Sequence, residues 1–77
     1  MVYLSEILEN QTAEIKYFKL NGNPSEEGLR NRIYEMGFYP GKRVRIIKSV
    51  PMPIVCLNGS RFAMSKRLSE RFVVKRL

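Results

Sequence analysis

Apolar and polar positions along this chain change period several times within a short length, and each change marks an element. In Leu4-Ser5-Glu6-Ile7 two aliphatic residues stand three apart, which predicts one short helical turn carrying a small apolar stripe. Glu9-Asn10-Gln11-Thr12 then turns the chain at an asparagine that tolerates the left-handed conformation. Ala13-Glu14-Ile15-Lys16-Tyr17 alternates with period two, as a half-buried strand does, and Phe18-Lys19-Leu20 continues it with a break in phase before Asn21-Gly22. Asn23-Pro24-Ser25-Glu26 reads as an N-cap, a proline at the first helical position and a Glu three residues after the cap. Leu29, Ile33 and Met36 follow at spacings of four and three and predict a helix with one apolar face. Gly37, in the left-handed position, ends that helix and brings Phe38 back onto Ile33 as a Schellman motif does.

Beyond the helix the pattern turns to strands. Tyr39-Pro40-Gly41-Lys42 sets Pro and Gly at the central positions of a type II turn. Arg43-Val44-Arg45-Ile46 alternates cleanly, and Ile47 beside Ile46 predicts a bulge or a stretch buried on both faces. Pro51-Met52-Pro53 lacks ladder donors at its prolines and belongs in a loop. Asn58-Gly59 between Ile54-Val55-Cys56-Leu57 and Ser60-Arg61-Phe62-Ala63-Met64 predicts a type I′ hairpin in which Leu57 faces Ser60 and Val55 faces Phe62. That register puts Val55, Leu57, Phe62 and Met64 on the core side and Ile54, Cys56, Arg61 and Ala63 on the other. Ser65 through Arg71 allows one helical turn with Leu68 pointing inward, and Phe72-Val73-Val74 makes a closing strand. Five short strands joined mostly by tight turns predict a mainly β fold with short helices: a small SH3-like five-stranded barrel with an inserted α-helix, one domain over residues 1–77.

Composition narrows the function. At 77 residues the chain has room for one small core and little else. It has no His and no Asp, and Cys56 is its single cysteine, so neither a catalytic constellation nor a cysteine- or histidine-rich metal site is written into it. The expectation is a non-enzyme without a cofactor. One cysteine cannot form an internal disulfide, Ser5, Glu6 and Glu9 interrupt any leader-like apolar run, and no segment approaches the length of a membrane span. Those features predict a cytoplasmic protein without membrane insertion.

Charge is the unusual feature. Fourteen bases against seven acids give +7, and they are unevenly placed: residues 1–35 carry six acids and four bases, whereas residues 36–77 carry ten bases and only Glu70. Arg43 and Arg45 project from one strand face and Arg61 leaves the hairpin, and as a set they suggest an acidic partner. Other motifs have plainer readings. Gly37 and Gly41 enclose three residues where a phosphate loop needs four, and Asn58-Gly59-Ser60 is hairpin chemistry. Tyr17, Phe38 and Phe62 have structural explanations, which leaves Tyr39 as the one free aromatic.

The run from Leu29 to Ile46, with Leu29, Arg32, Ile33, Met36-Gly37-Phe38 and Pro40-Gly41 followed by a basic strand, resembles the signature of the FeoA family. The likeness extends to Leu4-Ser5-Glu6-Ile7, to Asn58-Gly59 and to Phe62-Ala63-Met64. Ile33 stands for the family's usual Leu, Asn10 for a common Gly, Met52-Pro53 for a "G-x-P" loop, and Ser65 for a frequent Arg. The resemblance implies an SH3-like barrel and a small cytoplasmic accessory of bacterial ferrous iron uptake. Its partner would be the cytoplasmic G-protein region of a FeoB-like membrane transporter, bound through Tyr39, Arg43, Arg45, Met52 and Arg61, with weak homo-oligomer formation left open. A second reading is an RNA- or DNA-binding small barrel, since strands opening with "P-G-x-x-V-x-I" also begin ribosome-associated SH3-like domains; no stable nucleic-acid complex is expected under the first.

Overall fold

The computed structural model describes residues 1–77. Six strands, rather than five, form one antiparallel sheet: β1 (Val2–Tyr3), β2 (Thr12–Phe18), β3 (Arg43–Lys48), β4 (Ile54–Leu57), β5 (Ser60–Ala63) and β6 (Phe72–Arg76). The added strand is β1, where Val2 lies opposite Val74 and Tyr3 opposite Val73. Two residues are too few to show a period, and only the partner strand makes them a strand. The order is β1-β6-β2-β3-β4-β5, and no ladder joins the end strands β1 and β5, so the barrel stays open.

Local chemistry explains most boundaries. Asn10, at φ 67°, takes the left-handed turn before β2. A bulge between Ile15 and Tyr17 shifts β2 by one residue, so Ala13, Ile15 and Phe18 face inward while Tyr17 faces out. The expected irregularity in β3 lies between Ile46 and Lys48. Asn58 and Gly59, at φ 52° and 78°, form the I′ turn, and Val55 pairs with Phe62 and Leu57 with Ser60 as the register predicts.

Helix α1 (Glu26–Glu35) begins and ends by different means. Asn23 Oδ1 accepts from the Ser25 N–H at 3.2 Å, so the asparagine caps a first turn that Pro24 opens. Glu26 does not reach back to complete a capping box; its carboxylate pairs with Arg71, which also donates to the Lys19 carbonyl at 2.9 Å. The far end is a complete Schellman motif, with Phe38 N–H donating to Ile33 O at 3.3 Å and Gly37 N–H to Tyr34 O at 3.0 Å. Ile33 is buried and Leu29 half-buried, but Met36 is 58% exposed instead of facing the core. Phe38, folded back by Gly37, supplies the core side chain at this end of the helix and leaves Met36 on the rim.

Tyr34 contributes the anchor that apolar spacing did not reveal: its hydroxyl accepts from the Phe18 N–H at 3.1 Å and ties α1 to the end of β2. Tyr34→Phe leaves that amide without its partner, and urea denaturation should show a loss of about 1–2 kcal/mol. In α2 (Lys66–Ser69), Ser65 Oγ accepts from the Leu68 N–H at 3.1 Å as an N-cap. Leu68 is only half-buried; the buried residue of this turn is Ser69, whose hydroxyl donates to Lys66 O at 2.6 Å. The core fills the inner face of the sheet with Leu4, Ile15, Ile46, Val55, Leu57 and Val74 among its members.

Candidate functional site

The outer face of β3, β4 and β5 carries the arginines. Strand alternation turns Val44 and Ile46 into the core and exposes Arg43 and Arg45 on the opposite side. Cross-strand register then places Arg61. Arg45 lies opposite Cys56 on β4, and Cys56 lies opposite Arg61 on β5, so Arg45 and Arg61 share one row with the half-buried cysteine between them. Two strand spacings separate them, roughly 9–10 Å between backbones. Sequence reasoning named the three arginines but had no means to bring them together, because that depends on pairing across β4.

Arg43 and Arg45 differ in their surroundings. Glu14 of β2 stands opposite Arg43 on one side and Lys75 of β6 on the other, whereas Thr12 stands opposite Arg45. The Glu14 carboxyl is held below the usual carboxylate range, first by the hydrogen bond from Lys16 at 2.7 Å and by that ammonium's charge; desolvation opposes them, and the charges of Lys75 and Arg43 add smaller lowering contributions. The molecule's two ion pairs are Lys16 with Glu14 and Arg71 with Glu26; neither engages Arg43, Arg45 or Arg61. All three residues are therefore exposed and outside any ion pair, with Glu14 the acid that faces Arg43 and no acid opposite Arg45 or Arg61, and guanidinium groups so placed suit carboxylates or phosphates.

Tyr39 and Met52 do not join this row. Tyr39 is exposed in the turn before β3, where Lys42 N–H donates to Tyr39 O at 3.1 Å and the Lys42 ammonium lies 5.7 Å from its ring centroid. Met52 is exposed in the loop after β3. Because β3 spans six residues, roughly 17 Å separates these two ends. A single compact partner surface reaching both must run the length of the strand.

Two features were missed. Tyr17 is 47% exposed because of the β2 bulge, and it flanks Val73 opposite Tyr3, so the outer face holds two tyrosines in one row. Lys19 donates to the Tyr3 hydroxyl at 3.1 Å, and this bond, with the phenol's charge when ionised, raises the lysine's pKa. The alternation break at Tyr17-Phe18 was the available signal for the exposed ring. The second feature is a small apolar cleft of about 90 Å³, lined by Ile33, Met36 and Phe38 from the helix side and by Phe62, Met64 and Leu68 across from them. Only the placement of Met36 on the rim reveals it. No group of three or more His, Cys, Asp or Glu side chains is arranged to hold a metal ion, and no helix is long and apolar enough to cross a membrane.

Comparison with known proteins agrees with this architecture. No curated protein matches the chain. Among solved structures, one described as an iron uptake regulatory protein, FeoA, is 29% identical and superposes with a TM-score of 0.78 over 99% of this chain and 96% of its own. FeoA of Stenotrophomonas maltophilia, complexed with zinc and described as a prokaryotic SH3 domain protein, is 26% identical, with a TM-score of 0.80 over 97% of this chain and 91% of its own. IdeR of T. acidophilum shares the fold at 17% identity and a TM-score of 0.81, this chain matching 34% of its length. The fold is thus SH3-like, and the model of the FeoA domain matches residues 2–76. From end to end of its six-stranded sheet, the chain belongs to the FeoA family.

Proposed function

We propose that the protein is a cytoplasmic adaptor of ferrous iron uptake that docks on the G-protein region of a FeoB-like transporter and modulates it, without chemistry of its own. Family membership and the naming of its structural relatives support the transport setting. The observation that carries docking is the row formed by Arg45 and Arg61, with Arg43 beside it, exposed and free of ion pairs. An acidic surface would meet these donors with little rearrangement, because a β-sheet fixes their origin. Tyr39 and Met52 flank the row at the two ends of β3 and add apolar contact there.

Arg43→Glu combined with Arg45→Glu is expected to weaken binding to the isolated transporter domain at least about tenfold by calorimetry, through both charge loss and repulsion. Unchanged affinity rejects the surface. Nucleic-acid binding is favoured by one observation, the exposed Tyr17 in one row with half-buried Tyr3, over which Lys19 lies. A salt titration with single-stranded RNA separates the readings, since phosphate contacts make affinity fall steeply with ionic strength and Tyr17→Ala would then weaken it.

A further inference from the structure

The sheet ends at β5 on an unpaired edge. Strand β5 pairs only with β4, in an unbroken register of Leu57 with Ser60, Cys56 with Arg61, Val55 with Phe62 and Ile54 with Ala63. In an antiparallel ladder, alternate residues bond to the neighbouring strand, and those between them turn their N–H and C=O away from it. The tight Asn58-Gly59 turn fixes which are which: Leu57 and Ser60 flank it as a bonded pair, and Val55 with Phe62 is then the next. Met64 N–H continues the series to Pro53 O at 3.0 Å. Arg61 and Ala63 therefore direct their backbone groups outward; both residues are exposed, and neither backbone finds a partner in the turns and loops.

Edges of this kind are usually blunted by proline, a bulge or extreme shortness. β5 has neither proline nor bulge, whereas the opposite edge, β1, is two residues long and half-buried. Side chains add a preference. A strand laid beside β5 would lengthen each cross-strand row by one residue. On the outer face, the row of Arg45, Cys56 and Arg61 would gain a residue roughly 5 Å from Arg61. An acid suits that position, since Arg61 has no ion-pair partner within the chain. On the inner face, the row of Ile46, Val55 and half-buried Phe62 would gain a residue beside the Phe62 ring, where an aliphatic side chain fits. Only an extended polypeptide satisfies the outward amides and carbonyls of Arg61 and Ala63 together; phosphates of a nucleic acid or a lipid would meet the guanidinium and leave the carbonyls without donors. A second copy of this chain would bring another Arg61 and a further charge of +7 to the same edge.

We infer that an extended acidic segment of a partner protein adds to the sheet as an antiparallel strand on β5, exchanging backbone hydrogen bonds with Arg61 and Ala63. The segment carries an acid opposite Arg61 and an aliphatic residue opposite Phe62. This rests on the docking reading above and gives the form in which the acidic partner arrives. Main-chain bonds hold the segment, and the alternating side chains select its sequence and register.

A short synthetic peptide alternating Glu and Val, titrated into the wild-type protein, is the probe. Binding is expected to slow amide hydrogen exchange of Arg61 and Ala63 at least about tenfold while leaving Ser60 and Phe62, already bonded to β4, unchanged. Methylating the peptide's Glu nitrogens, which face β5 in this register, should abolish binding, whereas methylating the Val nitrogens, which face away, should not. Ala63→Pro removes the outward N–H without taking a bond from the β4 ladder or altering charge, and should weaken both the peptide and the isolated transporter domain at least about tenfold. Should that variant disturb folding, the methylated peptides give the same reading on wild-type protein. No binding of the alternating peptide overturns the inference, as does equal binding of a scrambled peptide of the same composition, which would assign affinity to charge alone. A wild-type dimer that Ala63→Pro dissociates would give the edge to a second copy and overturn it too. The two readings fail separately. If Arg43→Glu with Arg45→Glu loses the transporter domain and Ala63→Pro keeps it, docking stands and strand addition is overturned. If the peptide binds with the stated protection and the transporter domain does not bind wild type, strand addition stands and that docking partner is rejected.

Discussion

Replacing Gly37 with alanine is expected to lower the unfolding free energy by about 2–4 kcal/mol, out of a total of roughly 4–12 kcal/mol for a chain of this size. Two independent costs meet there. The backbone sits at φ 110°, where a Cβ is strained, and an added Cβ would stand 3.0 Å from Leu57 Cδ2, a side chain buried in the core. Leu57 can yield only by pressing on its own neighbours, because the interior is close-packed. Gly41 supplies the control: its φ is 94°, but a Cβ there meets nothing within 4 Å, so Gly41→Ala should show the backbone cost alone, about 1–2 kcal/mol. Urea denaturation of both variants measures the difference. Equal losses would mean that the helix end and the hairpin are not in the tight contact described.

The positions that were legible before the fold was known share a cause: their conformations are decided within a few residues. Asn58-Gly59, Tyr39-Pro40-Gly41-Lys42 and Met36-Gly37-Phe38 each specify dihedral angles locally, and all three turns have the expected geometry. Alternation in β3 likewise placed Arg43 and Arg45 outside and Val44 and Ile46 inside. What was not legible depends on partners far along the chain. Glu26 leaves the capping box because Arg71 competes for it, Met36 is displaced because Phe38 takes the core, and β1 exists only against β6. The same division runs through the candidate site. Each arginine's exposure could be read from strand period, whereas the shared row of Arg45 and Arg61 follows from two ladders through Cys56.

Phe72→Ala should have the largest effect of any substitution considered, a loss of about 3–5 kcal/mol that brings the protein to the edge of unfolding at room temperature. Phe72 is 1% exposed, and its ring lies edge-on to Phe18 with centroids 5.0 Å apart and tilted to Phe38 at 5.8 Å; Phe38 in turn meets Phe62 at 5.3 Å. The four rings run from β2 through β6 to the helix end and on to β5. They cross between β6 and β5 where no strand ladder does, so side-chain packing substitutes there for hydrogen bonding across the sheet. Removing the central ring breaks two contacts at once and opens a void that rigid neighbours cannot fill. Phe72→Leu keeps most of the volume and should cost only about 1–2 kcal/mol, observable as a lowered thermal midpoint with cooperativity intact. That milder variant also separates function from stability. Phe72 lines the apolar cleft but lies away from the outer row of arginines, so docking through Arg43, Arg45 and Arg61 should retain affinity within about twofold in Phe72→Leu. A larger loss would move the partner's contact to the cleft beside Met36.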